Sequence, residues 1–302
     1  MFKKLRRRGA SSQSPTTVFH GSSKTWVPPG HFYSPLVDPN DPAVQNVLRG
    51  FSTADIPATS GLDIDAGRML SVLREIAVNY PSLPFSSAAK SGLHYYYDNP
   101  AFSYGDAIAL SLMLLHYKPR KVIEVGSGFS SCVMIDLNGP PHRQEPADLT
   151  FIEPFPKTLL SLLPADSPYR NRIIADPVQS VSLDVFAQLA ENDILFIDST
   201  HVSKMGSDVN YLIFNVLPIL KPGVLIHIHD IFYPFEYSSK WIVDENRSWN
   251  EAYLLRAFLQ FNSSFEVIFW NHFALRKFPN ELEFLAPLFL KNGGGSIWLK
   301  RT

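Results

Sequence analysis

Two short apolar runs each end in a pair of ionisable residues. Asp198-Ser-Thr-His201 follows Ile194-Leu-Phe-Ile197, and His229-Asp230 follows Val224-Leu-Ile-His-Ile228. If both runs are neighbouring strands of one parallel sheet, Asp198, His229 and Asp230 converge on its ligand side and could hold a divalent cation. Two carboxylates favour a hard ion such as Mg²⁺ or Ca²⁺, and a histidine ligand makes Mn²⁺ or another transition metal more suitable. His201 lies one short turn from Asp198. Its imidazole titrates near neutral pH and could take a proton from a substrate hydroxyl, whose own pKa a metal would lower. Each residue also has a plain structural reading. An Asp after a strand often caps the next helix, as we read Asp208, and a histidine such as His227, alternating with His229, is read as packed.

A third strand end carries Lys121-Val-Ile-Glu-Val-Gly-Ser-Gly-Phe-Ser-Ser131. The β-branched run suits a strand buried on both faces. Gly126 and Gly128 allow a sharp turn and a close approach of backbone to ligand. Ser130 or Ser131 can cap a helix through Cys132–Ile135. A strand, a glycine turn and a helix start together make a nucleotide-type site. Thr150-Phe-Ile-Glu153 is a further strand ending in an acid, placed to accept both ribose hydroxyls of an adenosine. The third glycine of a dinucleotide fingerprint is replaced by Ser131.

The elements that must position these residues alternate along the chain. Apolar runs at 121–125, 150–153, 172–175, 194–197 and 224–228 are separated by helical patterns near 156–163, 183–190 and 208–220. This rhythm predicts a doubly wound, mostly parallel α/β sheet with right-handed crossovers. Runs at 265–270 and 296–300, with a helix near 281–290 between them, would close it as a seven-stranded sheet with an antiparallel edge. Helices are also expected over 63–76, 107–115 and 249–261. Tyr104 and Asp106 precede the helix at 107 and would reach the ligand edge, or else form a packed aromatic loop with an Asp cap. Asp176 and Gln179, after the third strand, are candidates for an adenine rim. The aromatic stretch 231–250 reads as a lid or substrate wall.

Composition bounds the rest. The chain has 302 residues, 45% apolar and 18% charged, with a net charge of −1. That balance offers no electrostatic case for nucleic acid or membrane as the main partner, and no run is long and apolar enough to predict stable membrane insertion. A single cysteine, Cys132, excludes an intrachain disulfide and fits a reducing, cytoplasmic setting. Residues 1–25 read as a disordered basic tail. Residues 26–100, which hold many of the 24 prolines, read as an N-terminal extension, with an arm packed at the site mouth and a helix. Residues 101–302 read as the catalytic domain. A homo-oligomer is left open.

With these residues in hand, the chain resembles class I S-adenosylmethionine-dependent methyltransferases, which share a Rossmann-like fold. Glu124-Val-Gly-Ser-Gly128 is similar to their first motif, Glu153 to their ribose-binding acid, Asp198 to their fourth motif, and Leu-Lys-Pro-Gly223 to the turn before the fifth strand. The resemblance implies S-adenosylmethionine as cofactor, held around Tyr104, Asp106, Glu124, Gly126, Ser127, Gly128, Glu153, Asp176, Gln179 and Asp198. Within that class, Asp198-Ser-Thr-His201 with His229-Asp230 most resembles the macrocin and mycinamicin sugar O-methyltransferases. This implies Asp198 and Asp230 as ligands of Mg²⁺ or Mn²⁺, His201 as base, and a hydroxylated small-molecule acceptor, a sugar or polyol. His229 departs from that group, which has an acid there. Two rivals are an NAD-dependent oxidoreductase on the same sheet and a non-catalytic interaction module of the same fold.

Overall fold

The computed structural model describes residues 25–52 and 59–302. The expected basic tail, residues 1–25, lies outside the described residues but for Thr25. The described residues fall into two compact units, divided between Asp38 and Pro39. In the first, residues 25–38 make turns in which Trp26 and Tyr33 stack at 5.2 Å and the Gly30 amide donates to the Leu36 carbonyl at 3.0 Å.

The second unit opens with helices α1 (Pro42–Ser52) and α2 (Ala66–Ala77). Asp65 caps α2 by accepting from the Arg68 amide, and Met69, Leu73 and Ile76 bury one face. Helix α3 (Tyr104–Tyr117) is buried on nearly all sides and stops where Lys118 turns left-handed. The alternating part follows: β1 (Lys121–Val125), α4 (Phe129–Asp136), β2 (Asp148–Ile152), α5 (Lys157–Leu162), β3 (Ile173–Ile174), α6 (Leu183–Ala187), β4 (Ile194–Ile197), α7 (Asp208–Tyr211) and β5 (Leu225–Ile228). It closes with α8 (Glu251–Leu259), β6 (Phe265–Trp270), α9 (Asn271–Lys277), α10 (Pro279–Leu285) and β7 (Ile297–Arg301).

The seven strands lie in the order β3-β2-β1-β4-β5-β7-β6. Strands β1 to β5 pair in parallel, and β7 runs antiparallel between β5 and β6. The doubly wound sheet with an antiparallel edge is therefore as expected. Leu195, Phe196, Leu225, Ile226 and Trp298 are fully buried at its centre, as a sheet covered on both faces requires.

Four elements differ from the sequence reading. Strand β3 shrinks to two residues, because Pro177 follows closely and cannot donate to the ladder. The helix expected over 208–220 holds its α form only to Tyr211, then widens over Leu212–Val216 and tightens over Leu217–Ile219. Pro218, in that last turn, lacks the amide an α-helix needs. Helices α1 and α9 were not expected; α1 follows the prolines read as an arm, and α9 starts directly at the end of β6 with no turn residue between them.

Candidate functional site

Ladder hydrogen bonds continue past the strand ends and set the site residues in one layer. The Gly126 amide donates to the Ile152 carbonyl (2.9 Å), the Asp198 amide to Val125 (2.8 Å), the His229 amide to Ile197 (2.9 Å) and the Glu153 amide to Ile174 (3.0 Å). These ends sit where the chain switches direction between β1 and β4, the usual binding crevice of such sheets.

The two glycines of the turn have different reasons. Gly126 has φ +83°, and a Cβ there would lie 1.9 Å from the Asp198 carbonyl oxygen. Its glycine is demanded by the neighbouring strand end. A Cβ on Gly128 would meet only Thr158 Cγ2, at an ordinary 3.7 Å. Packing does not require glycine there. Ser131 does help cap α4, but from inside the helix: its Oγ accepts from the Gly128 amide at 3.0 Å. Ser130 and Ser131 both donate to the carboxyl of Glu124. Glu124 lies beneath the turn, fully buried. Burial pushes its pKa up to about 8, although both serine hydroxyls pull the other way.

Two cavities open at this edge. One, of about 410 Å³, is lined by Gly126, Glu153, Phe155, Gln179, Asp198 and Lys204 among others. Glu153 is tied into it through the amides of Ser127 (3.2 Å) and Phe155 (2.8 Å). The other, of about 530 Å³, is lined by Asp106, Asp198, His201, His229, Asp230 and the tryptophans 241 and 249 among others. Asp198 is on both walls.

His201 is the centre of the second cavity. It is buried and holds a left-handed φ of 60°, a conformation that persists only where surroundings enforce it. The amides of Asn250 and Glu251 donate to its carbonyl at 3.0 and 3.1 Å. Its Nδ1 lies 2.8 Å from Oε2 of Glu251, itself buried, whose Oε1 accepts from the Ser199 hydroxyl at 3.0 Å. Its Nε2 then projects between two carboxylates, 3.3 Å from Asp198 Oδ1 and 3.8 Å from Asp230 Oδ2. Trp249 lies against the ring at 4.2 Å. Burial opposes charge on this imidazole, but hydrogen bonds and charges from Asp198 and Glu251 outweigh it, and its pKa rises well above 6.5. This corrects the expectation of titration near neutral pH.

His229 Nε2 lies 3.5 Å from Asp230 Oδ1. Burial lowers its pKa, yet Asp230, Asp198 and Asp106 together raise it. The Asp198 pKa falls, because the two imidazoles overcome its own burial. His227 is packed, as expected: it stacks on Phe196 at 3.8 Å, and burial drives its pKa well below 6.5.

The expected metal set does not fit an ion as arranged. Among the described residues no three His, Cys, Asp or Glu side chains are disposed to hold one. Asp198, Asp230 and His229 do meet, but the carboxylates face imidazole nitrogens.

Other expected residues sit elsewhere. Tyr104, Glu124 and Asp176 are on the wall of neither cavity. Tyr104 stacks on Tyr97 at 4.8 Å and donates to Asp98 at 2.7 Å. Asp176 is exposed. Ser127 and Gly128 form the turn itself. Asp106 lines the second cavity, not the first, where it accepts from Asn271 Nδ2 (3.0 Å), the Gly295 amide (3.1 Å) and the Ser296 hydroxyl. Burial raises its carboxyl to about 6.

Several contributors were not read from the sequence. Glu251 gives no local signal, since its role appears only when α8 begins beside His201. Phe155, at the rim of the first cavity, is 78% exposed. Gly294 and Gly295 bring a strap over Asp106; a Cβ on Gly294 would lie 2.1 Å from Asp106 Oδ2, and the glycine run was the available clue. The aromatic stretch does supply a wall. Trp241 and Trp249 enclose the Arg247 guanidinium, 4.4 and 4.5 Å from their ring centres.

A methyltransferase-domain family matches residues 123–231, from within β1 to just past β5. An uncharacterized protein of Archaeoglobus fulgidus is 32% identical over 174 residues, spanning 55% of this chain and 75% of that protein. Among solved structures, the SAH-bound methyltransferase PaMTH1 of Podospora anserina is 12% identical over 88% of this chain and 98% of its own, with a TM-score of 0.41. The O-methyltransferase TomG of Streptomyces achromogenes, in complex with SAM, is 15% identical over 85% and 96%, with a TM-score of 0.37. The chain therefore belongs to one family with the archaeal protein, and its residues 123–231 carry a methyltransferase domain.

Proposed function

We propose that this enzyme methylates a hydroxyl of a small polar acceptor, a sugar or another polyol, with His201 taking the hydroxyl proton. The observation that carries the reading is the meeting of the two cavities at Asp198, with His201 Nε2 3.3 Å from its carboxylate. The first cavity suits the donor. Glu153 would hold the ribose, Gln179 and Phe155 would border the base with Asp176 beyond them, and the free space at Gly128 with Gly126 and Ser127 would take the methionine part. Glu124 supports that turn from below, and Tyr104 and Asp106 brace the edge of the site. S-adenosylmethionine supplies an electrophilic methyl on a sulfonium.

The chain's own part is positioning and proton removal. Glu251 fixes the His201 ring through Nδ1, so Nε2 faces the acceptor cavity. Because its pKa is raised, His201 is a stronger base than an ordinary histidine but is free of its proton in a smaller fraction at neutral pH. The polar walls of the second cavity, with Asp106, Asp230 and the tryptophans, suit a hydroxylated acceptor that can stack one face. The divalent ion implied by the resemblance has no part in this reading, because the carboxylates it would need face imidazoles. The lone buried Cys132 suits a cytoplasmic enzyme.

The test is incubation with S-adenosylmethionine and a panel of sugars and polyols, with S-adenosylhomocysteine as the readout. Turnover on one of them that falls about 10²–10⁴-fold in His201→Ala, with cofactor affinity kept, supports the reading. Unchanged turnover in that variant sinks the base assignment.

A further inference from the structure

We propose that Asp198 and Asp230 take the imidazoles of His201 and His229 as their partners in place of a divalent ion, with Glu251 as the positioning residue that keeps His201 there. The geometry leaves no room for both. Mg²⁺ and Mn²⁺ need carboxylate oxygens at about 2.0–2.2 Å, in sites with several oxygen ligands. The point between Asp198 Oδ1 and Asp230 Oδ2 is instead filled by His201 Nε2, at 3.3 and 3.8 Å. The ring pairs with both carboxylates there, with only Asp198 within hydrogen-bond range, and an ion would first have to displace it.

His201 is not free to leave. Glu251 holds Nδ1 at 2.8 Å, and the Glu251 carboxylate is steadied by the Ser199 hydroxyl at 3.0 Å. Two backbone amides hold the His201 carbonyl, at 3.0 and 3.1 Å. On the opposite side His229 is fixed by the ladder bond of its amide to Ile197 (2.9 Å), and its Nε2 faces Asp230 Oδ1 at 3.5 Å. A third carboxylate at position 229 would complete an oxygen set with Asp198 and Asp230. An imidazole there gives a hard ion one oxygen ligand fewer and occupies Asp230 besides. His201 and His229 therefore decide together between the two arrangements.

The inference rests on the proposed reading only in placing the reaction at this cluster, so S-adenosylmethionine binding is measured in the same samples. Its loss in the wild-type chain would fail that reading and leave the metal question to its own result. The experiment is a Mn²⁺ titration of the full chain followed by electron paramagnetic resonance, up to about 1 mM, where even weak oxygen sites bind. The wild-type chain should leave the free Mn²⁺ signal undiminished. His201→Ala combined with His229→Asp should bind one Mn²⁺, and Asp198→Asn added to that pair should abolish the binding. Thermal melts confirm that each variant is folded. One Mn²⁺ bound by the wild-type chain and lost in Asp198→Asn overturns the inference. Failure of the folded His201→Ala, His229→Asp variant to bind also overturns it, because removing both imidazoles would then not have opened the site.

Discussion

Glu251 Oε2 and His201 Nδ1 lie 2.8 Å apart although 50 residues separate them in the chain. The contact holds the ring by Nδ1 and turns Nε2 toward the cavity that Asp198 and Asp230 line. Glu251→Gln keeps the shape but offers the ring an amide in place of a carboxylate. Turnover should fall about 10²-fold or more, and S-adenosylmethionine affinity should stay within a few-fold. Side-by-side kinetics and calorimetry check this. A fall in cofactor affinity equal to the fall in turnover would assign Glu251 to the fold instead.

The same contact sets a pH dependence. Glu251 and Asp198 raise the His201 pKa, and in the proposed reaction the base form is the active one, so the rate should climb with pH well past 6.5. Removing the Glu251 charge should move that rising limb to lower pH. A pH profile of kcat/KM for wild type and Glu251→Gln reads both effects. A wild-type limb at or below 6.5 would contradict the raised pKa.

The two turn glycines should behave differently. Gly126→Ala combines a positive φ with a Cβ 1.9 Å from the Asp198 carbonyl, and should cost about 3 kcal/mol or more of stability. Gly128→Ala should leave the melting temperature nearly unchanged, because its Cβ meets only Thr158 at 3.7 Å, yet should weaken S-adenosylmethionine binding. Denaturant unfolding and calorimetry on the pair separate the two. Equal effects on stability would show that the turn is a packing feature throughout.

That contrast also marks how far the sequence could be read. The strand before Gly126, the acid at Glu153 and the ionisable pairs after β4 and β5 were legible, because each follows a β-branched or apolar run at a spacing that a parallel sheet fixes. The reason for Gly126 was not, since it depends on the Asp198 carbonyl across the β1–β4 gap. Glu251 was hidden for the same cause: nothing near position 251 announces a partner at 201. Asp106 was recognised as an edge residue, but its attachment to the Gly295–Ser296 strap required the placement of β7. His201 was legible as a titrating group but not in its pKa, which Asp198 and the distant Glu251 decide.

Glu124 offers a test of the buried turn. Its carboxyl is raised from 4.5 to about 8, chiefly by burial. Between those values the folded chain keeps a proton that the unfolded chain has released. Stability should therefore fall as pH rises through that window, by at most about 1.4 kcal/mol per unit from this group. Glu124→Gln should flatten the profile between pH 4.5 and 8, as read by urea unfolding at several pH values. An unchanged slope would mean that Glu124 is ionised in the folded chain.

The central claim is that the cavity beside β1 and β2 holds S-adenosylmethionine with Glu153 on its ribose. Isothermal titration of the purified chain with S-adenosylmethionine, and separately with NAD, addresses it directly. The account predicts micromolar binding of S-adenosylmethionine, no heat from NAD, and a loss of about tenfold or more in Glu153→Ala, in line with a lost charge-assisted hydrogen bond. Binding of NAD without S-adenosylmethionine, or full affinity in Glu153→Ala, would contradict it.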